Sequence, residues 1–324
     1  MPINDLKELK KIDACSICGN NNFNNLGKIT NNRNKLQSAF AFLYDESYEV
    51  PKQLDGIFDL IQCSKCNHCC LSLMPSQFFL DSLYKKSSSY LNHDSKAELK
   101  KKKNYLKKKL DVIVPNFNHW IFEYLKDFKP GNYFEVGPGT CELLNMFKSK
   151  NWNCEGYEVK DWIINECIYN DFDSIPKGKK DVMVISDVLE HVSNPKEFLM
   201  SFTFLLKKSG LLFLAFPNAS SYRAKILKNK WRMISPLNHV NFFSRKSSTR
   251  MLEDSGFKII SHKAFSEVNI KKLLKNIIKL PFLIILDLMK LNIQKAVRRL
   301  FETIINIIDL IYGDQTHIIA IKND

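Results

Sequence analysis

The chain has 324 residues, 45% of them hydrophobic and 25% charged, enough for one catalytic domain plus a small module, and close enough to the globular average to exclude wholesale disorder. No apolar run reaches the roughly 18 residues that a membrane span needs, since the longest, Leu280 to Leu286, stops at Asp287. A net charge of +14 would suit nucleic acid, but only 7 of the 48 basic residues are Arg, and Lys, Asn and Ile rise together, a pattern of genomic base composition on tolerant surface positions that argues against a nucleic-acid partner.

Residues 1–6 lack the basic and apolar stretches of a secretory signal, so a reducing cytoplasm is the expected setting. There the nine cysteines read as metal ligands or core packing rather than disulfides. Six of the nine fall in residues 1–75 among many turn-forming Asn residues, which predicts a small, loop-rich module without a core of its own. Residues 76–118 form a Lys-rich connector with runs at Lys100–Lys103 and Lys107–Lys109. Leu99, Tyr105, Leu106 and Leu110 recur in it at helical spacing, so a charged helix with a solvated face is expected. From residue 119 to 324 the pattern is alternating helices and short apolar strands. An amphipathic face of Trp120, Ile121, Tyr124 and Leu125 ends at Pro130-Gly131. Strand-like runs follow at 133–136, 154–159, 182–186, 211–216 and 257–260, with helices at 143–148 and 195–206. Strands apolar on both faces and separated by helices predict a parallel sheet wrapped by helices. A helical insertion occupies 266–315, and Thr316–Ile321 reads as a last strand.

Two Cys-x-x-Cys pairs, Cys15/Cys18 and Cys63/Cys66, each place two thiolates on one tight turn, and two such turns complete a tetrahedron around zinc. Cys69 continues the spacing and leaves an iron–sulfur cluster as an alternative, with His68 and Cys70 also in reach. Four protein ligands leave no open position, so the ion is expected to be structural.

Gly137 and Gly139 of Tyr133-Phe134-Glu135-Val136-Gly137-Pro138-Gly139-Thr140-Cys141 sit between a strand and a helix, where the backbone turns sharply and approaches a ligand. Cys141 stands where a dinucleotide fingerprint has its third glycine, and a side chain there is expected to crowd the turn. Glu158, at the tip of the following strand, is placed to accept both hydroxyls of a ribose. Asp187, Glu190 and His191 lie in the polar loop after the strand ending at Ser186, at the carboxyl edge of the sheet.

Glu135–Cys141, Glu158, Asp187–Pro195, Lys208-Ser209-Gly210 and Phe216-Pro217-Asn218 resemble the successive motifs of class I S-adenosylmethionine-dependent methyltransferases, over roughly residues 119 to 265. The Cys pairs resemble the zinc module of a branch that includes sugar methyltransferases. The resemblance implies an α/β, Rossmann-like seven-stranded sheet whose last strand is antiparallel. It implies that Glu135, Gly137 and Gly139 hold the methionine portion of the cofactor, Glu158 the ribose, and Asp171 and Phe172 the adenine, with Asp187 also in the cofactor pocket. Two histidines are candidate bases. His191, in the Glu190-His191 pair, lines the cofactor pocket in that family. His239, in Asn238-His239-Val240-Asn241-Phe242-Phe243, resembles its substrate-side loop and is the preferred base. Tyr222, Arg223 and Trp231 are placed to shape an acceptor pocket. The implied acceptor is a small molecule, a sugar or nucleotide-sugar of surface-glycan assembly. The alternatives are a lipid-linked acceptor and an inactive, nucleic-acid-binding relative. The basic, apolar segment 271–312 can lie on an anionic bilayer, form a homodimer face or cover the cleft.

Overall fold

The computed structural model describes residues 9–29, 57–85, 117–159, 165–266 and 270–323. Leu99, Tyr105, Leu106, Leu110 and both lysine runs of the expected connector lie outside the described residues. Its ends fold as helices α1 (Gln77–Lys85) and α2 (Phe117–Leu125).

The N-terminal cysteine segment is less loop-rich than its composition predicts. It contributes β1 (Leu9–Lys11), β2 (Phe23–Lys28), β3 (Asp59–Cys63), β4 (Cys69–Leu71) and β5 (Leu73–Pro75). Beyond it come β6 (Asn132–Val136), α3 (Glu142–Lys148), β7 (Asn153–Tyr157), β8 (Ile168–Tyr169), β9 (Lys180–Ser186), α4 (Pro195–Thr203), β10 (Leu206–Pro217), α5 (Tyr222–Leu227), β11 (Asn241–Phe242), α6 (Arg245–Asp254) and β12 (Phe257–Phe265). The long helices α7 (Ile270–Met289) and α8 (Ile293–Tyr312) and the strand β13 (Gln315–Lys322) complete the chain.

Seven strands form the main sheet in the order β12-β13-β10-β9-β6-β7-β8. β10, β9, β6, β7 and β8 pair in parallel, and β13 inserts antiparallel between β10 and β12. This is the sheet that the motif resemblance implies. Burial on both faces explains it: Phe134 and Val136 of β6 pack on α4 and α6 through Phe202, Met251 and Leu252, while Tyr133 packs on α3 through Leu144 and Phe147. Side chains alternate across a strand, so one short segment feeds two cores. The helices start where their caps dictate. The Asn194 side chain accepts from the Glu197 amide with Pro195 in the first turn, and Ser244 and Ser247 form a reciprocal capping box at α6.

Element boundaries differ from the sequence expectation at several points. α4 ends at Thr203 because Leu206 already belongs to β10, whose register shifts between Leu206 and Leu211 around Ser209, at φ 57°. β12 runs on to Phe265, paired along its length with β13. β8 has two residues, too few to show a period.

The cysteine segment does not stand apart. Its four-stranded sheet runs β11-β4-β3-β2, so the outer strand is supplied from residues 241–242. The core beneath joins Leu60 and Leu71 to Trp231, Ile234 and Phe242. Trp231 is therefore a core residue, and Arg223 is buried in an ion pair with Asp309 while donating to Asn306 Oδ1 at 2.7 Å. Both anchor other elements, with Tyr222 joining Arg223 at α8 by ring contact with Tyr312, 4.7 Å between centroids. Among the described residues no helix is long and apolar enough to cross a membrane.

Candidate functional site

At the carboxyl end of β6 the chain turns through Gly137 (φ 71°) and Gly139 (φ 51°). The Gly137 amide donates to the Tyr157 carbonyl at 2.8 Å, and the Gly139 amide donates to Glu158 Oε2 at 3.1 Å. The glycine turn and the acid predicted to serve it thus meet at the tips of neighbouring strands. Glu158 is buried, and its own amide is fixed to the Tyr169 carbonyl at 2.9 Å. Glu135 lies beneath the turn, accepting from the Tyr133 hydroxyl at 3.0 Å and from the Leu144 amide of α3. Burial pushes its carboxyl up to about 7 against those hydrogen bonds. Cys141 takes a left-handed backbone (φ 57°), but its thiol packs into the core with Tyr133, Leu144 and Cys154. Its Sγ also lies 3.9 Å from the Gly139 carbonyl, against the turn itself.

The remaining residues expected at the cofactor divide. Asp187, exposed and at φ 52°, stands at the end of β9, its amide bonded to the Ala215 carbonyl. Asp171 caps the short 3-10 turn 172–174, and Phe172 packs on Tyr157 and Phe202 with ring centroids 6.0 and 5.1 Å apart. Phe172 is thus half-buried against α4, while Asp171 is exposed.

Both histidines come together. Their rings meet edge to face with centroids 4.7 Å apart. His191 Nδ1 lies 2.5 Å from the Asn238 carbonyl and His239 Nδ1 lies 2.9 Å from the Met233 carbonyl. A carbonyl only accepts, so each Nδ1 carries a proton. Burial pushes His239 down to about 4, only partly opposed by the Met233 carbonyl, so the ring is neutral near pH 7. Glu190 completes the group: one ligand atom each from Glu190, His191 and His239 lie within 4.8 Å of one another. Glu190 is buried, its Oε2 has no hydrogen-bond partner, and burial together with Asp187 holds its carboxyl well above the usual range.

The four cysteines Cys15, Cys18, Cys63 and Cys66 converge with every Sγ within 4.8 Å of the others. Cys15–Cys66 and Cys18–Cys63 are each separated by 3.6 Å. Zinc–sulfur bonds of about 2.3 Å require tetrahedral edges of about 3.8 Å, so the donor set fits a four-thiolate ion. Each turn closes the same way, Gly19 N–H to Cys15 O and Asn67 N–H to Cys63 O at 2.8 and 3.0 Å, with Gly19 and Asn67 left-handed. The Asn20 side chain donates to Cys63 Sγ at 3.5 Å. Cys69 and Cys70 lie in β4 and pack into the neighbouring core, and His68 Nε2 is engaged by Asn241 Oδ1 at 2.9 Å. None of these three belongs to the cluster.

Residues 103–262 match the family described as a methyltransferase domain. The chain carries a class I S-adenosylmethionine-dependent methyltransferase domain. Among solved structures, this methyltransferase is similar to an S-adenosylmethionine-dependent methyltransferase from Archaeoglobus fulgidus, at 17% identity over 70% of this chain and 100% of that one, with a TM-score of 0.43. It is similar also to a possible histamine N-methyltransferase from Thermotoga maritima, at 12% identity over 70% of this chain and 97% of that one, with a TM-score of 0.42. No curated protein matches the sequence. Sequence reasoning placed Glu190 in the loop at the sheet edge beside His191 but gave it no role of its own. Its signal was present as an acid inside the apolar string Val188-Leu189-Glu190-His191-Val192. The carbonyls of Met233 and Asn238, which orient both imidazoles, leave no side-chain signature.

Proposed function

We propose that the methyltransferase acts on a hydroxyl or carbon acid of a small carbohydrate, a sugar or nucleotide-sugar of surface-glycan assembly in the cytoplasm, with His239 as general base. The observation that carries the base assignment is the pair of imidazoles held in one tautomer at the carboxyl edge of the sheet, Nδ1 on backbone carbonyls. When bound, the cofactor would supply a methyl group on a cationic sulfur. The protein's tasks are then to orient the acceptor and take its proton. His239 Nε2 receives that proton, His191 packs against it, and the neutral state of His239 avoids placing a second cation beside the sulfonium. Glycines 137 and 139 let the backbone approach the methionine end, Glu135 braces the turn from below, and Glu158 accepts the ribose hydroxyls. Asp171, Phe172 and Asp187 border the nucleoside side in this reading. Zinc held by Cys15, Cys18, Cys63 and Cys66 is structural.

The test is mass spectrometry of the protein incubated with methyl-labelled cofactor and a panel of nucleotide-sugars, free sugars and RNA, in wild type and His239→Ala. Label is expected in a carbohydrate, and the variant is expected to turn over about a hundredfold more slowly with cofactor affinity nearly unchanged. Label in RNA alone discards the acceptor class, and undiminished turnover discards the base.

A further inference from the structure

The α7–α8 hairpin keeps a large apolar surface in solvent after its two helices have packed on each other. On α7, Leu274, Ile278, Phe282, Ile285 and Met289 are exposed, Ile278 and Met289 by 78% and 76%. At 100° per residue these positions fall within one arc less than a quarter turn wide, so they form a single stripe. On α8, Ile293, Val297, Leu300, Ile304 and Ile311 do the same, and Leu291 in the connecting turn is 88% exposed. Exposed apolar patches of this extent mark interaction surfaces rather than ordinary surface texture.

The charges around the stripes discriminate between occupants. Lys275, Lys279, Lys290, Lys295 and Arg298 are exposed. Two of the hairpin's three acids are withdrawn: Asp287 is buried against Arg299 and Asp309 is buried against Arg223. Glu302 lies 3.8 Å from Arg223. Glu302 is half-exposed, so the exposed charge of the hairpin is five cations against one acid. A second copy of the chain, related by a two-fold axis, would bring lysines against the same lysines, and lysine is depleted from protein interfaces. An anionic bilayer supplies both missing complements, an acyl boundary for the stripes and phosphates for the cations. A helix of 20 residues is about 30 Å long, and lying flat it spreads its stripe along the surface without spanning it.

We propose that the α7–α8 hairpin docks the protein on an anionic membrane surface, with its apolar stripes in the headgroup–acyl boundary and its lysines on lipid phosphates. α8 joins α5 through Arg223, Asn306 and the Tyr222–Tyr312 contact, and α5 follows the carboxyl end of β10. Docking thus sets the same edge of the sheet that bears the histidines near the membrane plane.

Flotation of the full chain with vesicles tests this. The protein is expected to float with phosphatidylcholine–phosphatidylglycerol vesicles, much less with phosphatidylcholine alone, and less again at high salt. Ile278→Asp/Phe282→Asp is expected to abolish flotation while cofactor binding persists, since both side chains are in solvent. Each of Lys275→Glu and Lys279→Glu is expected to weaken partitioning about fivefold or more. Two outcomes overturn the proposal. One is a protein that stays at the bottom of the gradient with both vesicle types. The other is a wild-type dimer, measured by sedimentation, that the apolar double variant converts to monomer without any vesicle binding.

Discussion

Gly137 and Gly139 share a left-handed backbone, yet their surroundings differ. A Cβ on Gly139 would meet nothing within 4 Å, whereas one on Gly137 would stand 2.5 Å from Val188 Cγ2. Val188 is branched at Cβ and has little rotamer freedom with which to yield. Gly139→Ala is therefore expected to cost about 1 kcal/mol of backbone strain, and Gly137→Ala a further 1 to 3 kcal/mol or so of overpacking. Thermal unfolding of the two variants checks the order, and equal midpoints would refute it. The Gly-x-Gly pattern was legible in the sequence, as was the pairing of Glu158 with it. What the sequence could not show is where the Cys141 thiol goes. It lies between the core side chains of Tyr133 and Leu144 and the Gly139 carbonyl, from the left-handed start of α3. The burial of Glu190 was not legible either, because an acid in a polar loop reads as exposed until its packing is seen.

The cysteine turns act at the next scale because of what they carry. Cys63 ends β3 and Cys66 lies between it and β4, β4 pairs with β11 through Cys70 and Asn241, and β11 directly follows the segment bearing His239. The Leu71 amide donates to the Val240 carbonyl at 3.2 Å, and the Val240 amide donates to the Glu190 carbonyl at 2.8 Å. Asn241 bridges His68 and the Val192 carbonyl. An ion that fixes the two turns consequently fixes the histidine loop from one side. Cys63→Ser, or removal of metal by a chelator, is expected to lower the unfolding temperature and turnover together, since metal affinity and folding are one equilibrium in such modules. Scanning calorimetry beside an activity assay reads both, and full turnover in a metal-free protein would show that the loop holds without the ion. Both Cys-x-x-Cys pairs were readable by spacing. β11 was not, because two residues carry no period and its partner lies about 170 positions away.

Over the whole molecule, buried histidines set the response to acid. His239, His262 and His317 are each pushed down to about 4, chiefly by burial. Folding favours their neutral forms, so the stability this confers is present above the ordinary value of 6.5 and is lost as pH falls toward about 4. Glu135 runs in the opposite sense: its folded carboxyl sits at about 7, so its contribution is lost as pH rises through that value. His317 has no partner for Nδ1 and stacks on Phe265 with ring centroids 4.2 Å apart. His317→Phe is expected to flatten the fall in unfolding temperature between pH 6.5 and 4, and an unchanged slope would remove His317 from the account. The sheet itself was largely legible, because strands buried on both faces and separated by helices have few other solutions. The antiparallel β13 was visible as a β-branched run, while its length and that of β12 depend on each other and emerge only on pairing.

The central claim is that the glycine turn and Glu158 together form the cofactor cradle, and calorimetric titration with S-adenosylmethionine tests it most directly. Saturable one-to-one binding is predicted for the wild type, weakened about tenfold or more in Glu158→Ala, where charge-assisted hydrogen bonds to the ribose are lost. Absence of binding, or equal affinity in the variant, would contradict the account.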